Sequence, residues 1–226
     1  MSEEQDVQIV EEHAPDGWLR ARVPMREGKI HGEVVDYEPD GAVSYRANFV
    51  DGVQQGETRL YAEGKLLQTM QFKDGLKHGE MVYYEDGAIV ARIGFAEGLQ
   101  EGLAVTYGPN ECKVSSIPHR KGKPNGEARY FDQEERLIRS LHYLDGKQQG
   151  PETTYFPDGG IAERGLAVGD KREGEWLRYY PSGKLRQRAF SRAGKLTGAP
   201  RVFDESGDEI ATAAAPPPPP PSRWGG

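Results

Sequence analysis

One phrase recurs eight times along this 226-residue chain at a step of 23 or 24 residues, and a period of that length constrains the fold more than any single residue. The phrase reads Gly-x-x-x-Gly, an aromatic residue five positions later, a turn, an aliphatic residue and a second aromatic. Its clearest copy runs from Gly75 through Gly79, Tyr84, Asp86-Gly87 and Ile89 to Phe95 and Gly98. The second glycines are Gly32, Gly56, Gly79, Gly102, Gly126, Gly150, Gly174 and Gly198. The aromatic residues that follow are Tyr37, Tyr61, Tyr84, Tyr107, Phe131, Tyr155, Tyr179 and Phe203. Beyond the turn stand Val43, Leu66, Ile89, Cys112, Leu137, Ile161 and Leu185, and the last copy is out of step. Gly17 lies 24 residues before Gly41, so Asp16-Gly17-Trp18 reads as the trailing half of a ninth unit.

Each unit holds two runs of about five to eight residues, the length of strands in a β-hairpin and too short for paired helices. Asp-Gly pairs at Asp16, Asp40, Asp51, Asp74, Asp86, Asp145 and Asp158 supply turn chemistry, because glycine reaches positive φ and aspartate hydrogen-bonds its own backbone. Asp132-Gln133-Glu134-Glu135 lacks the glycine and predicts a looser turn. The expected fold is all-β: an elongated, twisted, open antiparallel meander of about eight tandem hairpins over residues 15–210. At about 4.8 Å per strand, sixteen strands extend about 80 Å. Residues 1–14, with acids at Glu3, Glu4, Asp6, Glu11 and Glu12, read as a disordered tail. Residues 211–226 read as an extended Ala/Pro-rich tail, with Pro216 to Pro221 as a polyproline II rod and Trp224 as a possible docking anchor.

Strand alternation places the aromatic stripe on one face and positions two, four and six past the glycine on the other. There the copies vary while gathering Leu60, Met81, Tyr83, Tyr130, Phe156, Trp176 and Tyr180, which predicts either a partner-binding face or one partly covered by the sheet's own curvature or by a tail.

A formal net charge of −7 without a basic stripe speaks against nucleic acid and anionic lipid as partners. One cysteine excludes an internal disulfide framework, and no signal peptide or membrane-length apolar stretch stands in the sequence, which predicts a cytoplasmic protein. His31 and His78 occupy the polar slot before the second glycine, filled elsewhere by Gln55, Glu101, Asn125, Gln149, Glu173 and Thr197, so neither reads as catalytic. No metal-ligand spacing is present, Cys112 reads as a packing residue, and the Gly-Glu pairs at Glu33, Glu57, Glu80, Glu127 and Glu175 recur too often to be a catalytic carboxylate pair. The expectation is a protein without enzymatic activity, metal or cofactor.

The phrase Asp-Gly-x-x-x-Gly-Glu-x-x-x-Tyr-x-x-Asp-Gly-x-Leu resembles the variant MORN repeat of bacterial proteins grouped as YwqK-like antitoxin components, over about residues 15–210. The resemblance implies a protein-binding array, specifically an antitoxin or immunity protein whose acidic surface meets a basic toxin or effector. Two further expectations stand beside it: an adaptor that uses both sheet and proline-rich tail, and a membrane-associated array.

Overall fold

The computed structural model describes residues 7–212, so the proline run and Trp224 lie outside the described residues. The chain divides into two units. The first holds residues up to 125 together with 133–135; the second holds 126–132 and 136 onward. In the first, the strands are β1 (Gln8–His13), β2 (Leu19–Arg26), β3 (Lys29–Ile30), β4 (Gly32–Tyr37), β5 (Val43–Val50), β6 (Val53–Ala62), β7 (Lys65–Lys73), β8 (Leu76–Glu85), β9 (Ala88–Ala96), β10 (Leu99–Tyr107), β11 (Lys113–Arg120) and β12 (Lys123–Pro124). In the second they are β13 (Gly126–Phe131), β14 (Leu137–Leu144), β15 (Lys147–Tyr155), β16 (Ile161–Val168), β17 (Lys171–Tyr179), β18 (Leu185–Arg192), β19 (Lys195–Leu196), β20 (Arg201–Phe203) and β21 (Glu209–Thr212). Within each unit the strands pair antiparallel in chain order, as the repeat predicts, and no α-helix occurs among the described residues.

Two kinds of turn alternate. The first leaves two residues between strands, and both are left-handed: Asp51-Gly52 at φ 50° and 84°, Asp74-Gly75 at 52° and 77°. This is the type I′ geometry that matches strand twist, which explains the Asp-Gly preference. The second kind spans five residues and is closed by a backbone bond such as Glu38 N to Ala42 O, 2.7 Å. Where the second turn is also of the two-residue type, at Glu63-Gly64 and Asp86-Gly87, the repeat step falls from 24 to 23 residues.

The glycine and the aromatic each mark an irregularity in the ladder. At the second glycine the register jumps, as between Ala47↔Thr58 and Asn48↔Gln55, and Gly56 there has φ 72°. At every repeat aromatic the returning strand carries one extra residue: Asp36 faces Tyr45, but Tyr37 faces Val43. Such a bulge sharpens local twist, so each copy bends its hairpin at the same point.

Several expectations are corrected. Gln8–His13 is not a tail but the leading strand of a complete ninth hairpin. His13 occupies the aromatic slot and shows the same bulge, while Glu11 and Glu12 pair with Arg22 and Arg20 across β2. In the fourth copy the slot beyond the turn belongs to Lys113, which faces Tyr107. Cys112 lies in the turn before it, its Sγ 3.0 Å from the Pro109 carbonyl. The turn at Asp132 is closed like the others, by Asp132 N to Arg136 O at 3.0 Å, with Glu135 left-handed at φ 58° in place of glycine.

The polar slot before the second glycine also has a structural task. Gln55 Oε1 accepts the Asp74 N–H at 3.1 Å, Glu101 that of Lys121 at 2.9 Å, and Glu173 that of Ala193 at 2.7 Å. His31 Nδ1 lies 3.1 Å from Asp51, which also holds Arg26 at 2.7 Å. Each of these slots thus fastens the tight turn of the next copy, and the turn's own backbone adds a second bond, as from Gly75 N to Gln54 O at 3.0 Å.

Candidate protein-binding faces

The two faces of the sheet differ in chemistry. One carries the Glu of each Gly-Glu pair, and all five are matched by arginine: Glu33–Arg46 at 2.9 Å, Glu57–Arg59, Glu80–Arg92 at 2.6 Å, Glu127–Arg129 at 2.6 Å and Glu175–Arg188 at 3.1 Å. The repeat aromatics stand beside these pairs. Glu57 and then Tyr61 favour the charged Arg59 guanidinium and raise its pKa, and the Arg164 guanidinium lies 5.6 Å from the Tyr179 ring centre. Exposed pairs of this kind contribute little to stability, so the lattice mainly sets the polarity of its face.

The opposite face holds the core. Its central row is the position two past the glycine: Val34, Thr58, Met81, Ala128, Glu152 and Trp176 are 0–8 % exposed. Their cross-strand partners adjust to them, with Ala47 beside Val34, Ile93 beside Met81 and Leu141 beside Ala128. Trp176 sits over Gly165, where a Cβ would come within 2.2 Å of the indole. Met81 and Trp176, expected on a partner-binding face, are therefore core residues. That position varies because its cross-strand partner varies with it, not because it meets solvent.

The remaining residues expected on that face are only partly brought together. Leu60 and Tyr83 both face Gln68, and Tyr45 faces Leu60, giving the first unit a row of Tyr45, Leu60, Gln68 and Tyr83. Tyr83 is 37 % exposed in it. Tyr130 lies in the second unit opposite Arg139, and burial followed by Tyr143 pushes its phenol pKa up to about 12. Phe156 and Tyr180 begin five-residue turns, where the Tyr180 hydroxyl donates to the Phe203 carbonyl at 2.9 Å.

In the second unit one acid, Glu152, enters the core row, and the row beside it is ionic. Glu152 accepts from Arg139 at 2.7 Å and from Gln148 at 2.6 Å, and Glu163 accepts from Arg178 at 2.7 Å and Arg172 at 3.0 Å. The Arg172 guanidinium stacks 3.8 Å from the centre of the Trp176 ring. In the first unit, burial raises the Asp36 carboxyl pKa, opposed by Arg20 and reinforced by Glu12. Asp51 is lowered by its bonds to Arg26 and then His31.

Two open clefts were not anticipated from sequence. One, of about 200 Å³, is lined by Trp18, Leu19, Arg22, Tyr37, Glu38, Pro39 and Gly41. The other, of about 460 Å³, is lined by Lys184, Leu185, Arg188, Arg201, Phe203, Ser206 and Gly207. Both use one repeat position, between the residue beyond a turn, an arginine and the next aromatic. The register of Leu19 with His13 and of Tyr37 with Val43 sets the first, and that of Leu185 with Tyr179 and of Phe203 with Glu209 sets the second. No cluster of metal-ligating side chains occurs among the described residues, and no helix among them is long and apolar enough to cross a membrane.

Hairpins repeated with the same bulge, glycine and turn define the class: a tandem β-hairpin repeat protein. Within it, residues 172–192, which span most of β17 and β18, match the MORN repeat variant family. No curated protein matches the chain. The bulges at Tyr37, Tyr61, Tyr84, Tyr107, Phe131 and Tyr155 repeat the one at Tyr179 inside the matched copy.

Proposed function

We propose that this chain is a non-catalytic repeat scaffold that binds another protein through the row Tyr45, Leu60, Gln68 and Tyr83, and that the bound protein is a toxin or effector which it neutralises. The observation that carries the reading is Tyr83. It is 37 % exposed, while its chain neighbours Met81 and Val82 are 2 % and 6 % exposed. An accessible tyrosine on an interior strand, one strand beyond Gln68 from the half-buried Leu60, is the kind of residue that dominates interface energies. Glu63, in a turn beside this row, favours a basic partner by steering its approach. The neutralising role rests on the resemblance of the repeat phrase to antitoxin components.

The test is capture of the partner with the intact chain, followed by expression of that partner alone and with the chain. One stoichiometric partner that is toxic alone and harmless in company supports the reading, and Tyr83→Ala then weakens binding at least tenfold while strand content is unchanged. Several partners from one assembly, all lost on deletion of residues 211–226, overturn it in favour of an adaptor that docks through its tail.

A further inference from the structure

The two clefts occupy the same repeat position and differ in charge. In the first unit Arg22 lines the smaller one together with Glu38, so a cation and an acid offset each other. In the second unit Lys184, Arg188 and Arg201 line the larger, and no acidic side chain does. Asp204, which follows the aromatic as Glu38 does, is committed to its own turn: its Oδ1 accepts from the N–H groups of Ser206, Gly207 and Asp208 at 2.8, 2.9 and 3.0 Å. The cations are also held differently. Register sets Arg188 directly opposite Arg201, a like-charge pairing that costs stability. Arg46 and Arg59 oppose each other in the same way in the first unit, but there each is hydrogen-bonded to its own glutamate, Glu33 or Glu57. In the second, Arg201 donates to Glu209 at 2.6 Å and Lys184 to the Glu205 carbonyl at 2.6 Å. Arg188 is the exception. Its Nε is buried 3.1 Å from Glu175, yet among the described residues no nitrogen of its guanidinium makes a hydrogen bond.

We infer that the second unit's cleft binds an organic anion, a carboxylate or phosphate carried on an apolar or aromatic body. A planar guanidinium presents paired donors that match the oxygens of either group. An anion between Arg188 and Arg201 supplies the acceptor that Arg188 lacks and screens the two opposed charges from each other. Half-buried Leu185 and Phe203 line the cleft beside them and receive the apolar body. The volume of about 460 Å³ lies within the roughly 300–1,000 Å³ of small-ligand sites. Because the Ser206 and Gly207 amides already donate to Asp204, side chains rather than the turn backbone recognise the charge. The site takes the opposite charge from that favoured beside Tyr83, and it does not rest on the function proposed for that row.

Titration of the intact, isotope-labelled chain with phenyl phosphate and with N-acetylphenylalanine, read by amide chemical shifts, tests this. The expected result is saturable shifts centred on Leu185, Phe203 and Ser206, with affinity that falls as salt is added. Whichever compound binds more tightly identifies the natural anion as a phosphate or as a carboxylate of the kind that ends a peptide. Arg188→Gln and Arg201→Gln each weaken binding at least tenfold, whereas Arg46→Gln, in the first unit, leaves it unchanged. Absence of saturable shifts with both compounds overturns the inference. So does equal binding of the uncharged N-acetylphenylalanine amide, which marks a merely apolar cleft, or equal shifts at Trp18 and Gly41. Affinity unchanged in either arginine variant overturns it as well. If far-UV circular dichroism shows that Arg188→Gln loses strand content, Lys184→Gln, at an exposed position, replaces it with the same outcome required.

Discussion

The two units use one hairpin and fill it differently. In the first, the central core row is neutral: Val34, Ala47, Thr58, Met70, Met81 and Ile93 follow one another across strands, and Thr58 is held by Gln54 at 2.7 Å. In the second, the equivalent row passes through Glu152, which holds Arg139, while Glu163 holds Arg172 and Arg178 and the Arg172 guanidinium stacks on Trp176. Glycines and bulges are the same in both, and so are the turns except at Glu63-Gly64 and Asp86-Gly87 of the first unit, where the second turn shortens to two residues. The difference teaches that backbone irregularities, not the core side chains, carry the repeat. A residue as large as Trp176 or as polar as Glu152 is accommodated because its neighbour shrinks to Gly165 or supplies arginine.

The largest effect that breaks this comparison is truncation of each unit's biggest core residue. Trp176→Ala removes an indole that is 3 % exposed and leaves Gly165 facing a void, at a cost of about 3–5 kcal/mol. Met81→Ala costs about 2–5 kcal/mol. Hydrogen exchange read strand by strand checks both. Protection is expected to fall first in β15–β18 for the former and in β7–β9 for the latter, since repeat hairpins depend on nearest neighbours. Uniform loss over both units would mean that they unfold as one, and the contrast between them would have no energetic content.

The ionic groups of the second unit are the next target. Glu152→Ala leaves Arg139 and Gln148 without their acceptor and costs about 1–3 kcal/mol. Thr58→Val, at the same position in the first unit, loses a neutral bond to Gln54 and costs about 1 kcal/mol. Denaturant unfolding of the two variants against the parent chain checks the order. Equal losses would show that charge in the second core adds nothing beyond its hydrogen bonds.

How much of this was legible in the residues divides along the same line. The glycine period and the Asp-Gly pairs announce hairpins, and the 23- or 24-residue step reports which second turn is used, because these are local backbone requirements. The ninth hairpin was hidden because Gln8 and His13 replace its glycine and its tyrosine. The core row was misread because its variation is compensated across strands, by residues a dozen or more positions away, so no single slot looks apolar in all copies. The polar slot looked idle because its partner, the next tight turn, lies 19 or 20 residues on. Of the expected partner face, only Leu60 and Tyr83 come together, and that too depends on register rather than composition.

A smaller effect sharpens the backbone half of the argument. Ala193 is left-handed at φ 49° before Gly194, in the place that Asp74 fills at φ 52° in the first unit. An alanine held there is strained by about 1 kcal/mol, whereas Asn-Gly suits this turn. Ala193→Asn is therefore expected to stabilise the second unit by about 0.5–1 kcal/mol, read as a higher midpoint in urea with an unchanged slope. Its N–H still donates to Glu173. No gain would mean that the turn bonds, rather than residue type, set the conformation.

The smallest effect lies within the first unit, where two acids act on stability with opposite sign. Burial raises the Asp36 pKa above its ordinary 3.8, so the folded state bears a penalty at neutral pH that fades as pH falls through the raised value. Asp36→Asn removes that penalty. It is expected to gain stability at pH 7, and the gain should shrink on acidification and vanish below 3.8. Asp51 is lowered by Arg26 and then His31, so its contribution is present above 3.8 and is lost as pH falls through the lower folded value. Asp51→Asn is expected to lose stability at pH 7, with the deficit closing in acid. Parallel urea titrations between pH 3 and 7 separate them. If both variants move the same way at pH 7, the two carboxyls do not differ in their surroundings, and the burial of Asp36 between β2 and β5 carries no electrostatic cost.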